Sequence, residues 1–156
     1  MELADLIVGA VIFEGGAPSS KESVVEQLLL KLAEDGHIPP SDVPALLAEA
    51  MRRESLGSTG IGQGVAIPHA KHASIPRLLG VIGLYRVPVN FDCIDGEPAD
   101  IFALLLAPRD TPGIDRRRVS NVSEKLLRLL SDGEFRQRIR MAQSAAEISE
   151  LLKVSG

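Results

Sequence analysis

Apolar residues along the chain come in two textures: short unbroken runs, and longer stretches in which they recur every three or four positions. The first run, Leu6 to Phe13, is rich in β-branched residues and closes on Gly15-Gly16 and Pro18, which predicts an early strand. Ser19-x-x-Glu22 then reads as a capping box, in which serine oxygen and glutamate each satisfy a free amide at a helix start. Val24, Val25, Leu28, Leu29 and Leu32 keep helical spacing, so a helix is predicted over 21–35, stopped by Gly36. Pro39-Pro40 breaks the chain, Ser41 or Asp42 offers a cap, and Val43, Leu46, Leu47 and Ala50 mark a second helix ending near Arg53.

Beyond the middle of the chain the same alternation resumes. Leu78 to Val87, apolar but for Arg86, and Ile101 to Ala107, apolar throughout, are runs ended by prolines, as strands buried on both faces should be. Between them, Phe91 to Glu97 reads as a hairpin or bulged edge around an Asp95-Gly96 turn. After a loop at Asp110-Thr111-Pro112-Gly113, helices are predicted over 115–130 and 132–142, with a last one opened by Ser144-x-x-Glu147. Apolar strands alternating with amphipathic helices predict an α/β protein, a mixed sheet with helices on both faces, in a single domain spanning 1–156.

One segment fits neither texture. From Gly57 to Gly64, four glycines in eight residues are too many for a helix or a regular strand. Val65-Ala66-Ile67 then predicts a short strand cut off by Pro68, with His69 projecting from its end. Glycines let a backbone bend and turn its amides towards an anion. Arg53, just upstream, can grip phosphate oxygens in a two-pronged way that lysine cannot match. A neutral imidazole offers a nitrogen lone pair, which attack on phosphorus needs. Arg53, the loop and His69 are therefore candidates for phosphoryl chemistry.

Composition narrows the field. Lys and Arg total 17 against 21 Asp and Glu, a net charge of -4, and the main basic tract is Arg116-Arg117-Arg118. Aromatics are 3% of residues, so the chain lacks both the basic face and the stacking platforms of a nucleic-acid binder. The single cysteine, Cys93, excludes an internal disulfide and any multi-cysteine metal site, and reads as a small buried hydrophobe. His72 forms an H-x-x-H pair with His69, but no third ligand is apparent and Lys71 lies between them, so no metal is expected. His37 follows a helix-ending glycine, an ordinary surface position. Thr59 to Gly64 resembles a dinucleotide fingerprint in its glycines, yet a helix precedes the loop and a strand follows it, the reverse of the required order. No run approaches the roughly 20 apolar residues of a membrane span, and the acidic start Met1-Glu2-Leu3-Ala4-Asp5 is unlike a signal peptide; the expectation is a cytoplasmic protein, peripheral to a membrane at most.

The stretch from Arg53 to His69 resembles the enzyme IIA components of the fructose–mannitol class of the phosphotransferase system, which include nitrogen-regulatory IIA proteins. That pattern is an Arg-Glu pair, a Gly-Ser-Thr-rich loop, and an apolar residue, Ala, an apolar residue, Pro and His, present here without gaps. The resemblance extends over about residues 3 to 153, through a Lys-Glu helix opening and Pro-Gly ahead of a later helix. It implies that His69 accepts phosphate from a phosphohistidine on a small HPr-like carrier protein, without a cofactor. Arg53 would steady the phosphoryl oxygens, and Gly57, Ser58, Thr59 and Gly60 would shape the pocket. Family members also carry a second histidine at the start of the helix after the Pro-Gly loop. The matching position here is at or near Val119, and no histidine follows His72. Arg118 is the candidate to stand in for it.

Three functions stay open on this basis. A nitrogen-regulatory IIA-like carrier would act on a transporter or sensor kinase, switched by phosphorylation. A sugar-specific IIA component would pass phosphate to a membrane permease component. A binding-only regulator would keep the fold and no longer relay phosphate, since the second histidine is absent. Which ring nitrogen of His69 takes the phosphate depends on what the other one contacts.

Overall fold

In the computed structural model the described residues are 3–15, 20–109 and 116–155, with backbone alone for 116–120 and 155. Two long strands, β5 (Leu79–Val89) and β6 (Ala99–Pro108), run antiparallel at the centre of a six-stranded sheet. Residues 79–85 and 101–106 are all buried, which is why the strand centres are written as continuous apolar runs rather than alternating ones. On one side β1 (Ile7–Phe13) lies parallel to β5. On the other side β6 carries two short parallel partners in succession, β3 (Val65–Ala66) and β4 (His69–His72), and β2 (Gly60–Gly62) pairs antiparallel with β3 at the sheet edge.

Helices cover both faces, the arrangement the hydrophobic pattern predicts. One face packs α2 (Lys21–Glu34) and α3 (Val43–Ser55), through Leu28, Leu29, Leu32, Leu46 and Leu47, onto Val81, Tyr85, Phe102 and Leu104. The opposite face packs a single helical turn, α1 (Leu3–Leu6), with α4 (Arg116–Leu130), α5 (Gly133–Met141) and α6 (Ala145–Ser155) onto Ile82, Leu84, Ile101 and Ala103. Burying this aliphatic area supplies the main stabilisation of the sheet.

Several boundaries differ from the sequence reading. The N-cap of α2 is Ser20, whose Oγ accepts from the Ser23 amide at 3.1 Å, while Ser19 of the expected box lies outside the described residues. Leu3–Leu6 is helical, too short to leave a periodic trace. A 3-10 turn over Pro40–Asp42 precedes α3, which then runs on to Ser55. Residues 91–97 are turns rather than strand, with the Gly96 amide donating to Cys93 O at 2.9 Å. The box at Ser144 forms in altered shape: Ser144 Oγ accepts from the Glu147 amide, and Glu147 reaches back to the Gln143 amide. The expected loop at Asp110–Gly113 lies outside the described residues.

Candidate functional site

The glycine segment is more ordered than its composition suggests. Gly60–Gly62 forms a strand, β2, which turns at Gln63 and returns as β3. Close quarters explain why glycine stands at two points. A Cβ on Gly60 would lie 2.5 Å from the Cys93 Sγ, and Gly64 adopts φ +78 against Asp100 and Arg140. Polar side chains fasten the hairpin from outside. Asp95 accepts from the Gln63 amide at 3.0 Å, and Arg140 donates to the Gln63 carbonyl at 2.9 Å while forking onto Asp100 at 2.8 and 3.0 Å. The bond from the Gln63 amide, with one from the Glu97 amide, holds the exposed Asp95 carboxyl below the usual carboxylate range. Burial pushes the Cys93 thiol up, so it stays protonated near neutral pH.

His69 does not end a strand; it begins one. Proline has no amide to give a ladder, so Pro68 interrupts the pairing with β6. It does not shift that pairing, because Val65 faces Ile101 and His69 faces Leu105 at the same offset. The strand therefore resumes as β4, with Pro68 O accepting from the Leu105 amide at 3.0 Å. The His69 ring is half-buried, and its Nδ1 lies 3.1 Å from Ile67 O. A carbonyl can only accept, so Nδ1 is the donor in this bond, and in the neutral ring the lone pair falls to Nε2.

Two clefts meet at this ring. One, about 520 Å³, is walled by Glu49, Arg52, Arg53 and Leu56 from the end of α3, with His69 and Lys71 opposite. The other, about 320 Å³, is mainly apolar and runs between β4, Leu78, Leu105 and the α4 residues Ser123, Glu124 and Leu127. Arg53 thus shares a cleft with His69; it gives one donor to Gly57 O at 3.0 Å, and a guanidinium has five. Ser58 donates to Phe91 O at 2.8 Å and accepts from the Gly60 amide, while Thr59 is tied to Glu54, so both hydroxyls are engaged in shaping the loop. His72 stands three residues along β4, on the opposite face of a strand of period two, and lines neither cleft. Its Nδ1 accepts from the Ser74 amide at 3.1 Å and contacts the Ser74 hydroxyl at 2.7 Å, the reverse of the His69 tautomer. The side chains of Arg116, Arg117, Arg118 and Val119, in the first turn of α4, lie outside the described residues.

Sequence reasoning missed Ser123, Glu124 and Leu127 in the cleft wall, although Ser123 follows Val119 by one helical turn and shares its helix face. It also passed over Leu56, an exposed leucine (82%) directly after α3. Among the described residues no group of three or more His, Cys, Asp or Glu is placed to hold a metal ion. No helix among them is long and apolar enough to cross a membrane.

The similarities to known proteins bear on the fold and the family. The chain is 30% identical over 152 residues to a nitrogen regulatory protein of Bradyrhizobium diazoefficiens, covering 97% of this chain and 95% of that one. It is also 30% identical over 152 residues to a fructose-specific EIIABC component of Bacillus subtilis, of whose length it spans 23%. The crystal structure of nitrogen regulatory protein IIA-Ntr from Neisseria meningitidis superposes with a TM-score of 0.71 at 31% identity, covering 96% of this chain and 94% of that one. Residues 10–155 match the family model for EIIA 2 of the phosphoenolpyruvate-dependent sugar phosphotransferase system, and the chain belongs to that family.

Proposed function

We propose that this protein is a nitrogen-regulatory-type phosphoryl carrier whose acceptor atom is Nε2 of His69. The observation that carries the reading is the Nδ1–H bond to Ile67 O, which gives the neutral ring its lone pair on Nε2, in the cleft that Arg53 shares. In the transfer, the Nε2 lone pair forms a bond to the phosphorus of a phosphohistidine on an HPr-like carrier. The bond from phosphorus to the carrier's ring nitrogen breaks, and its electron pair stays on that nitrogen. No proton need move, and no metal is required between two imidazoles. The work is positioning and charge stabilisation, with Arg53 beside the phosphoryl oxygens and Gly57 to Gly60 forming the floor.

Leu56 and Leu127, exposed on the rims of the two clefts, suit a docking protein better than a small sugar. With the acceptor ring between two such clefts, a doubly negative group on His69 would change both charge and desolvation at the docking face. That switch suits control of a transporter or sensor kinase. The regulatory reading is favoured over the sugar-specific one by similarity along almost the full length of a nitrogen regulatory protein. Incubation with phosphoenolpyruvate, the first enzyme of the system and the carrier tests the reading of His69 as a phosphoryl carrier. The expected result is an acid-labile phosphate on the wild type and none on His69→Ala; a wild type that takes up no phosphate leaves only the binding-only regulator.

A further inference from the structure

Glu54 is the more deeply buried member of the Arg-Glu pair, 6% exposed at the last turn of α3. A buried carboxylate is costly unless its oxygens are matched by donors, and here they are. Oε1 accepts from the Thr59 amide at 2.9 Å and from Lys21 Nζ at 3.2 Å, and Oε2 accepts from Thr59 Oγ1 at 2.7 Å. Lys21 is itself fixed, bridging to Asp92 at 3.2 Å and standing 5.2 Å over the Phe91 ring. Both donors of one residue are thus gripped by both oxygens of one carboxylate, which leaves Thr59, 5% exposed, a single orientation.

From Thr59 the bonds continue. Thr59 O accepts from the Ile67 amide at 3.0 Å, and Ile67 O accepts from His69 Nδ1 at 3.1 Å. An unbroken line of hydrogen bonds therefore runs from the carboxylate to the ring. A neutral histidine free in water favours the other tautomer, with its proton on Nε2. Holding the proton on Nδ1 demands an acceptor fixed in place, and Ile67 stands at the break made by Pro68, where the ladder with β6 does not fix it.

We propose that Glu54 is a positioning residue that sets the tautomer and orientation of His69 through Thr59 and Ile67, keeping the Nε2 lone pair directed at the incoming phosphorus. This rests on the reading of His69 as the acceptor. Glu54 touches neither the ring nor a phosphoryl group in this arrangement. It does for the nucleophile what a carboxylate does for the imidazole of a catalytic triad, two residues further removed.

The test reads the ring directly, in the unphosphorylated full-length protein. Imidazole nitrogen NMR distinguishes a protonated from an unprotonated nitrogen, so the His69 tautomer is measured whether or not phosphate is ever accepted. Wild type should show Nδ1 protonated; Glu54→Ala should move the ring towards the Nε2–H form and slow phosphoryl uptake about 10- to 100-fold. Thr59→Val, which keeps the amide link and loses the hydroxyl one, should shift both readouts in the same direction by less, and it serves if Glu54→Ala does not fold. Tyr85→Phe, which removes the 2.7 Å bond to Gln27, is the control that lowers the melting temperature without moving the ring signals. Glu54 and Thr59 variants that lose thermal stability while the His69 ring and the uptake rate stay as in wild type would overturn the proposal. Loss of uptake by the wild type itself, with the ring still Nδ1-protonated, would instead strike only the acceptor reading.

Discussion

The central strands and the glycine hairpin sit side by side on the same sheet and are held by opposite means. At the centre of β5 and β6 most side chains are aliphatic, buried on both faces, and alike in kind: Val81, Ile82, Leu84, Leu104 and Leu106 could be exchanged for aliphatic residues of similar volume with modest repacking. Between Gly57 and Gly64 little apolar area is available, and each point is fixed by a named polar partner: Glu54 on Thr59, Phe91 O on Ser58, Asp95 and Arg140 on Gln63. Area supplies stability in the first region, and direction supplies geometry in the second. His69 stands where they meet, backed by β6 and oriented by the hairpin.

The contrast can be broken from either side. The largest effect is expected at Ile82, fully buried against the α1, α4 and α6 side: Ile82→Ala should cost about 2–5 kcal/mol in urea unfolding. Its folded fraction should nevertheless keep the His69 ring signals of the wild type, because nothing in the polar chain touches that site. A smaller and local effect is expected from acid. The folded Asp95 carboxyl lies below its unfolded value, so its contribution is fully present above the ordinary carboxylate range and is lost as pH falls through the folded value. As pH falls through the folded Asp95 value, hydrogen-exchange protection, taken relative to the intrinsic rate at each pH, should therefore be lost first at the Gln63 and Glu97 amides, while the β5–β6 ladder stays protected. Protection lost in both regions together would mean the hairpin has no separate hold.

The same contrast explains what could be read from the chain. The helices and the two central strands were legible because periodicity reports burial, and burial is what makes them. Their limits were less so: Ser20 rather than Ser19 caps α2, a choice between adjacent serines that a pattern of apolar positions does not touch. The Arg53 to His69 motif drew attention to itself through residue types and resemblance, and phosphoryl chemistry there is the proposal it led to. Its working parts were not legible, since they depend on partners distant in sequence. Asp95 and Arg140 reach Gln63 from 32 and 77 residues away, and no local spacing encodes either contact. The return of the strand at His69 was hidden by Pro68, which reads as a terminator and acts as an interruption between two stretches in one register.

The proposed relay puts the phosphoryl group on Nε2 of His69. Protein labelled with nitrogen-15 and phosphorylated through the carrier will show phosphorus–nitrogen coupling to one ring nitrogen. That coupling is expected at Nε2 of His69, with the proton retained on Nδ1. Coupling to Nδ1, or to a ring of His37 or His72, would contradict it.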